Sequence, residues 1–207
     1  MSIDLQLSRH VGVVFGTPLY IRHVESTETL NAELTDLGHR MRAEDSGARV
    51  SNVGGWQSAP TLLKRSEPAI ARLRGLIEDA TGELMAAPQT GSASTPRFEL
   101  NAWMNMNRSG DYNQLHSHPL NHWAVVYYVA TGRPAGANPF NGRIELRDPR
   151  PAAVHGRITG YAFGQSVAIE PKPGLLVGFP AWIEHWVHPF QGEGERISIA
   201  ANVKLLG

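Results

Sequence analysis

The sequence contains no cysteine and no excess of charge of either sign. Without cysteine the chain can form neither disulfides nor thiolate metal sites, and it has no cysteine nucleophile. Its 19 Lys and Arg residues balance 19 Asp and Glu residues, and no run of basic residues carries interleaved aromatic ones. We therefore expect neither nucleic acid nor a membrane surface as a partner.

Long apolar runs are also missing from the sequence. No stretch approaches the roughly 20 apolar residues that cross a bilayer. Asp4 and Gln6 stand where a signal peptide would carry a basic segment and the start of an apolar core. Together with the lack of cysteine, these absences predict a cytoplasmic protein.

Two helices are predicted in the first half of the chain. One begins at Ser26 or Thr27, where leucines recur at three- and four-residue spacing. The other covers Glu67 to Met85, with Pro68 in its first turn. The rest of this half is predicted as a strand over residues 11–15 that resumes at 19–21, a loop over 45–58 and a connector over 86–96.

After Pro96 apolar and polar residues alternate, which is typical of strands. Along residues 97–107, Asn101, Trp103 and Asn105 fall on one face, opposite a row of apolar residues. Further short strands are predicted over residues 123–130, 143–147, 167–170, 175–179 and 196–203. The pattern predicts a mainly β (α+β) chain, a sandwich or barrel of antiparallel strands with helices packed outside. We expect one domain over residues 1–207, with an N-terminal strand and helical support in 1–96 and the β core in 97–207.

Two segments carry histidines in a spacing that suits a metal ion. His116 and His118 stand at i and i+2, so on an extended strand they point to the same face, with Cα atoms about 6.5 Å apart. His185, in a distant segment, would complete a set of three ligands with open positions left for other molecules. A lone His-x-His is common, however, and His185 between two tryptophans could also be a core histidine held by a hydrogen bond.

Other residues compete for a place in this site. Asp111 could supply a carboxylate if a turn separates it from His116, whereas Glu184 would point to the opposite face of a strand from His185. The remaining competitors for the metal are His122, His155 and His188.

A series of motifs follows in order through most of the chain. They are Asn101-Ala-Trp103-Met-Asn105, Gly110-Asp-Tyr-Asn113-Gln-Leu-His116-Ser-His118-Pro119, Val125-Val-Tyr127-Tyr128, Asp148-Pro149-Arg150, Pro171-Lys-Pro-Gly174, Phe179-Pro180-Ala-Trp182-Ile-Glu-His185-Trp-Val-His-Pro189 and Arg196-Ile-Ser198-Ile-Ala-Ala-Asn202. With them, residues 98–203 resemble the iron(II)- and 2-oxoglutarate-dependent dioxygenases, and within these a bacterial group of oxygenases. Phe15-Gly-Thr-Pro18 and Val53-Gly54-Gly55-Trp56 resemble the N-terminal part of the same group.

The resemblance implies a double-stranded β-helix fold (jelly roll, cupin-like) with Fe(II) held inside one end by His116, His118 and His185. Arg196 would bind the far carboxylate of the co-substrate 2-oxoglutarate, with Ser198 beside it. A guanidinium matches a planar carboxylate well, although Arg196 could also be a surface arginine on an edge strand. The candidates for lining the co-substrate and substrate pocket are Asn101, Trp103, Asn113 and either Tyr127 or Tyr128, since adjacent residues on a strand face opposite ways.

The chain departs from most of this superfamily at one ligand. It has His116-Ser117-His118 where most members have His-x-Asp or His-x-Glu, so a neutral ligand replaces an anionic one. Members of the bacterial group carry the same His-x-His. The departure leaves open whether the metal is Fe(II) or another divalent ion such as zinc, and whether Asp111 replaces a histidine.

The predicted activity is that of an oxygenase or hydroxylase. It would use Fe(II), dioxygen and 2-oxoglutarate to oxidise an unidentified substrate, with release of succinate and CO2. One alternative is a three-histidine metal dioxygenase of cupin type, which has no need of Arg196 and Ser198. Another is a non-catalytic jelly roll that binds a metal or a small molecule. The substrate could be an amino acid, a peptidyl side chain or a small metabolite, and a homodimer is the expected assembly.

Overall fold

The computed structural model describes residues 16–87, 96–151, 155 and 165–206. Its elements are β1 (Tyr20–His23), α1 (Glu28–Glu44), β2 (Asn52–Val53), β3 (Trp56–Gln57), a 3-10 turn (Leu62–Lys64), α2 (Pro68–Ala86), β4 (Phe98–Asn107), β5 (Tyr112–His116), β6 (Trp123–Pro134), β7 (Ile144–Leu146), β8 (Val167–Ile169), β9 (Leu175–Pro180), β10 (His185–Val187) and β11 (Gly192–Leu205). The strand predicted over residues 11–15 and most of the connector over 86–96 lie outside the described residues.

Both predicted helices are confirmed, and each buries one apolar face. In α1 the leucines at three- and four-residue spacing, Leu30, Leu34 and Leu37, are all buried, which contributes roughly 2 kcal/mol for each side chain. Pro68 occupies the first turn of α2, where its missing N–H leaves no hydrogen bond unmade. The two helices thereby form an apolar layer that can cover a sheet.

The strands form two antiparallel sheets. Six strands pair in the order β1-β9-β6-β11-β4-β3, and five pair in the order β2-β5-β10-β7-β8. The helices pack on one face of the six-stranded sheet, where α1 and α2 leucines share a core with Met104, Ile197 and Ile199. The other face of that sheet meets the five-stranded sheet through a second core that includes Tyr128, Ile144, Leu146, Val177 and Phe179. The chain is therefore mainly β with its helices outside, as the sequence predicts.

The register between β4 and β11 determines which polar side chains share the space between the sheets. Asn101 pairs with Asn202, Trp103 with Ala200, Asn105 with Ser198 and Asn107 with Arg196. Because side chains alternate along a strand, these four pairs share the inner face of the larger sheet, and all but the Trp103–Ala200 pair are polar. The opposite face carries the apolar residues that contact the helices.

Two local predictions are corrected. Residues 45–58 are not only loop, because β2 and β3 lie within them and pair with β5 and β4. Strand β5 ends at His116, so His118 lies beyond it, where its backbone N–H donates to the Ala181 carbonyl. Pro119, which has no N–H to donate to a neighbouring strand, is a physical reason for the strand pairing not to continue. Within the described ranges, neither helix is long and apolar enough to cross a membrane.

Candidate functional site

Three histidines meet between the two sheets. His116 at the end of β5 pairs directly with His185 at the start of β10, and His118 follows two residues after His116. One ring nitrogen from each lies within 4.8 Å of the others. The ring centroids are 4.3 Å apart for His116 and His185 and 5.1 Å apart for His118 and His185. The described residues thus offer a metal ion three converging imidazoles.

Two of these imidazoles are oriented by backbone carbonyls. Nδ1 of His116 lies 2.6 Å from the carbonyl oxygen of Gln114, and Nδ1 of His185 lies 3.0 Å from that of Ile183. A hydrogen bond at Nδ1 leaves Nε2 as the ligand atom, which is the arrangement that metal-binding histidines generally adopt. Phe179 packs edge-on against the His185 ring and further restricts it.

Burial keeps the three imidazoles neutral near pH 7. It lowers the pKa of His116, and it lowers that of His118 to about 4, with a further contribution from His116. The pKa of His185, which is 3% exposed, falls to about 3 because of burial and the neighbouring imidazoles. Neutral imidazoles bind divalent metals without first releasing a proton.

The other candidate ligands lie elsewhere. The Asp111 carboxylate accepts a hydrogen bond from the Arg108 backbone N–H and lies against Gly54, so it holds the turn before β5. Glu184 is exposed and pairs with Arg147. His122 accepts a hydrogen bond from the Leu205 N–H, His188 contacts Glu145, and His155 is exposed. In the described part of the chain, only His116, His118 and His185 form a group that could hold a metal.

Arg196 lies inside the molecule rather than on an edge strand. It is 1% exposed, and β11, which carries it, is flanked by β6 and β4. Its Nε donates to the Gly142 carbonyl at 3.0 Å, its Nη1 donates to Ser198 Oγ at 3.3 Å, and the guanidinium lies 5.2 Å from the centroid of the Tyr128 ring. No carboxylate among the described residues pairs with it. Because a buried cation without an acidic partner is costly, an anionic ligand here would be stabilising.

A narrow inner cavity of about 40 Å³ joins Arg196 to the histidines. Its polar lining includes Asn105, Asn113, Tyr128 and Ser198, and both Asn105 Oδ1 and the Tyr128 hydroxyl are buried without a hydrogen-bond partner. Burial raises the pKa of Tyr128, and the nearby Arg196 opposes that rise, so the hydroxyl remains a donor at neutral pH. A cation and a hydroxyl donor match a carboxylate-bearing ligand, although side chains must shift to admit one larger than a few water molecules.

A wider outer cavity of about 540 Å³ opens on the other side of the histidines. It shares Ser51, Trp103, His116 and His118 with the inner cavity. Asn101, which was predicted to line a pocket, lines this outer cavity. The ring centroids of Trp103 and His118 are 5.8 Å apart. Co-substrate and substrate could therefore approach the three histidines from different sides.

Of the two adjacent tyrosines, Tyr128 lines the inner cavity and Tyr127 does not. The Tyr127 hydroxyl instead donates to Asn31 Oδ1 on α1 at 2.7 Å, because its side chain projects to the helix-covered face of β6. Tyr127 therefore does not line the candidate site.

Several residues that line the cavities were not among the predicted site residues, including Asn105, Asn202 and Ser51. Asn105 and Asn202 share strand faces with the predicted residues, Asn105 with Trp103 and Asn202 with Arg196 and Ser198, and this parity could have identified them. Ser51, whose Oγ accepts a hydrogen bond from Asn113 Nδ2 at 3.3 Å, comes from a distant loop and left no signal in the sequence.

The fold is shared with solved structures at low sequence identity. A prolyl-4-hydroxylase from Pseudomonas putida is 16% identical with a TM-score of 0.63, over 91% of this chain and 93% of that one. The viral collagen prolyl hydroxylase vCPH from Paramecium Bursaria Chlorella virus-1, in complex with 2-oxoglutarate, is 13% identical with a TM-score of 0.61, over 94% of this chain and 100% of that one. HygX from Streptomyces hygroscopicus, with nickel and 2-oxoglutarate bound, is 12% identical with a TM-score of 0.60, over 91% of this chain and 83% of that one. These likenesses confirm the jelly-roll fold.

Comparison of the sequence with known proteins and families gives one family match. No curated protein matches the chain, but residues 101–202 match the model of the family described as "Putative 2OG-Fe(II) oxygenase". The matched range includes all three histidines, Arg196 and Ser198. Through residues 101–202, just under half of its length, the chain is similar to this family of 2-oxoglutarate- and Fe(II)-dependent oxygenases.

Proposed function

We propose that this oxygenase holds Fe(II) through His116, His118 and His185 and binds the far carboxylate of 2-oxoglutarate through Arg196 and Ser198. The observation that carries the proposal is the buried Arg196 guanidinium, which has no acidic partner among the described residues and shares the inner cavity with the three histidines. A doubly charged, narrow co-substrate with one end at Arg196 would compensate this buried cation.

The donor set fits both groups. Three neutral imidazoles, two with Nδ1 held by carbonyl oxygens, leave coordination positions open for a second molecule. When bound, Fe(II) and 2-oxoglutarate supply the oxidising chemistry, in which dioxygen gives one oxygen atom to the substrate C–H bond and the other to succinate, with loss of CO2. The chain's own residues orient the groups: Arg196 and Ser198 hold the far carboxylate, and Asn105 and Tyr128 hydrogen-bond within the inner cavity. Trp103 and Phe179 restrict water around the imidazoles.

A cupin-type dioxygenase that uses three histidines without 2-oxoglutarate is the second candidate. The His116-Ser117-His118 sequence favours it, because the set of ligands lacks a carboxylate. The buried Arg196 and Ser198 pair argues against it, since such an enzyme would have no use for a cation at the closed end of the cavity.

Location, assembly and substrate class are also matters of proposal. We propose a cytoplasmic location, a homodimeric assembly and a small-molecule or amino-acid-type substrate. The cysteine-free sequence supports the first, and the outer cavity beside the histidines supports the last.

Oxygen consumption tests the proposed function directly. Fe(II)-loaded protein is mixed with dioxygen, with and without 2-oxoglutarate, and succinate is quantified. We expect slow oxygen uptake and succinate formation that require 2-oxoglutarate and are lost in His116→Ala, while His122→Ala, which changes an exposed histidine outside the cluster, behaves as wild type. Uptake that is independent of 2-oxoglutarate would favour the cupin-type enzyme. Metal binding with no uptake at all would favour a non-catalytic module.

A further inference from the structure

The outer cavity has a lining without charge. It is formed by side-chain amides, hydroxyls, Trp103, apolar side chains and the two imidazoles of His116 and His118. None of its described lining residues is Asp, Glu, Lys or Arg. The substrate side of the site therefore differs sharply from the cationic Arg196 end.

The amides of this lining are available to a ligand. Asn101, Gln57 and Gln114 make no side-chain hydrogen bond with any residue that the structure describes, and Asn202 Oδ1 is buried without a partner. Among the described amides of this lining, only Asn121 is seen to donate a side-chain hydrogen bond, from Nδ2 to the Pro119 carbonyl at 3.1 Å. Each free amide offers donors and an acceptor, and a buried Oδ1 without a donor is an unfavourable state that a ligand N–H would relieve.

The positions of these amides separate them from the co-substrate end. Asn101 and Asn202 are paired across β4 and β11, six residues along β11 from Arg196. At the usual rise of a strand, that separation is about 20 Å. The Trp103–Ala200 pair and the histidines lie between the two ends. A ligand held by Asn101 and Asn202 therefore reaches the histidines from the side opposite Arg196.

Uncharged amides discriminate between classes of substrate. A free amino acid carries an ammonium and a carboxylate, and both would lose solvation in this cavity without gaining an opposite charge from a described residue. A residue within a peptide has neither charge, and its backbone supplies one N–H donor and one carbonyl acceptor on each side. Nucleic acids and phosphorylated metabolites are disfavoured for the same reason as free amino acids.

The rim of the cavity extends beyond the space that one residue fills. Val50 and Leu115 line it and are 74% and 46% exposed, and Leu120, 90% exposed, lies between the lining residues Pro119 and Asn121. Leu120 also has φ 67°, a conformation that costs a non-glycine residue free energy. These side chains form an apolar border where a chain entering the cavity can make further contacts.

From this chemistry we propose that the outer cavity binds a peptide segment and presents an uncharged residue of it to the metal site, with Asn101 and Asn202 bonding to the peptide's amide groups. The inference rests on the proposed function and specifies its substrate class. The oxidised residue is uncharged because the cavity lining offers its side chain no opposite charge. The two peptide groups that flank this residue are bound by the side-chain amides.

The test compares capped peptides with the free amino acids. The Fe(II)-loaded protein with 2-oxoglutarate is given N-acetylated, C-amidated pentapeptides Gly-Gly-X-Gly-Gly, with X each of the common residues, and the corresponding free amino acids. Succinate formation above the rate without peptide and the mass of each peptide are measured. We expect one or more peptides with an uncharged X to stimulate succinate formation and to change mass, whereas free amino acids and peptides with X as Asp, Glu, Lys or Arg do not.

Matched variants connect this result to the proposed residues. Asn101→Ala and Asn202→Ala should raise the KM for the active peptide about tenfold and leave 2-oxoglutarate affinity unchanged, whereas Asn138→Ala, in an exposed loop, should change neither. Stimulation by free amino acids or charged peptides alone, or by no peptide while 2-oxoglutarate still binds, would overturn the proposal. Failure of wild type to bind 2-oxoglutarate would instead overturn the proposed function, and calorimetric binding of the same peptides to Mn(II)-loaded protein would then decide the peptide proposal independently.

Discussion

At the scale of single residues, the adjacent tyrosines of β6 show how strand parity divides two roles. Tyr127 hydrogen-bonds Asn31 on α1 and belongs to the core beneath the helices. Tyr128, fully buried on the other face, lies beside Arg196 with its hydroxyl unpartnered. One side chain therefore stabilises the fold, and the other is available to a ligand.

Replacing each tyrosine by phenylalanine separates these roles. Tyr127→Phe should lower the free energy of unfolding by about 1 kcal/mol, because Asn31 Oδ1 loses its donor, and should leave 2-oxoglutarate affinity unchanged. Tyr128→Phe should leave the free energy of unfolding unchanged or higher, because it removes an unpaired buried hydroxyl, and should weaken 2-oxoglutarate binding about tenfold. Urea unfolding and calorimetric titration measure the two effects. Equal 2-oxoglutarate affinity in Tyr128→Phe and wild type would contradict this role for its hydroxyl.

At the scale of elements, Glu195 connects three parts of the chain. Glu195 lies in β11, next to Arg196. Its carboxylate contacts His39 at 2.7 Å and Arg42 at 2.9 Å, both on α1, and Arg108 at 3.0 Å, which follows β4. Partial burial opposes its ionisation, but the bonds from His39 and Arg108 outweigh that and lower the pKa of the Glu195 carboxyl below its usual 4.5. The cluster fastens α1 to the strand that carries Arg196.

Glu195→Gln should therefore destabilise the protein in a pH-dependent way. Near pH 7 we expect a loss of about 2 kcal/mol in the free energy of unfolding. Because the folded-state pKa is lower than the unfolded one, the stabilisation is complete above the unfolded value and is lost as pH falls through the folded value. Urea unfolding from about pH 7 to about pH 3 should show the two proteins converging at the acid end. A difference that is constant over this range would show that the carboxylate charge is not responsible.

Element boundaries also show where sequence patterns are reliable. The alternation in β4 and the leucine spacing in α1 predict those elements because one face of each is buried. The two-residue strands β2 and β3 escaped prediction because they are too short to show any period, and their pairing with β5 and β4 depends on tertiary contacts. His118 was expected on the same strand as His116, but β5 stops at His116 and the side chain still reaches the cluster from the following segment.

At the scale of the whole molecule, the sequence predicted the mainly β fold, the helices outside it and the grouping of three histidines. Spacing suggested that His116 and His118 act together, because they are two residues apart. The motif around His185 indicated that this distant histidine joins them. Arg196 was placed near the site by resemblance, while its complete burial and missing acidic partner became known only from the packing of β11 between β6 and β4. The amide-lined outer cavity could not be predicted, because it combines residues from four separate segments.

The central claim is that Arg196 and the three histidines form one site for 2-oxoglutarate and a metal. It depends on two sheets bringing together residues that are about 80 positions apart in the sequence. If the claim is right, 2-oxoglutarate binding requires the metal that the three histidines hold. It also requires Arg196, which does not contact that metal.

Calorimetric titration of 2-oxoglutarate into anaerobic, Fe(II)-loaded protein tests this claim most directly. Wild type should bind only when the metal is present, Arg196→Ala should weaken binding about 100-fold, and Arg196→Lys should fall between them. Arg147→Ala, which removes an exposed arginine paired with Glu184, should bind as wild type does. Binding of equal strength in Arg196→Ala, or no binding to metal-loaded wild type, would contradict the account.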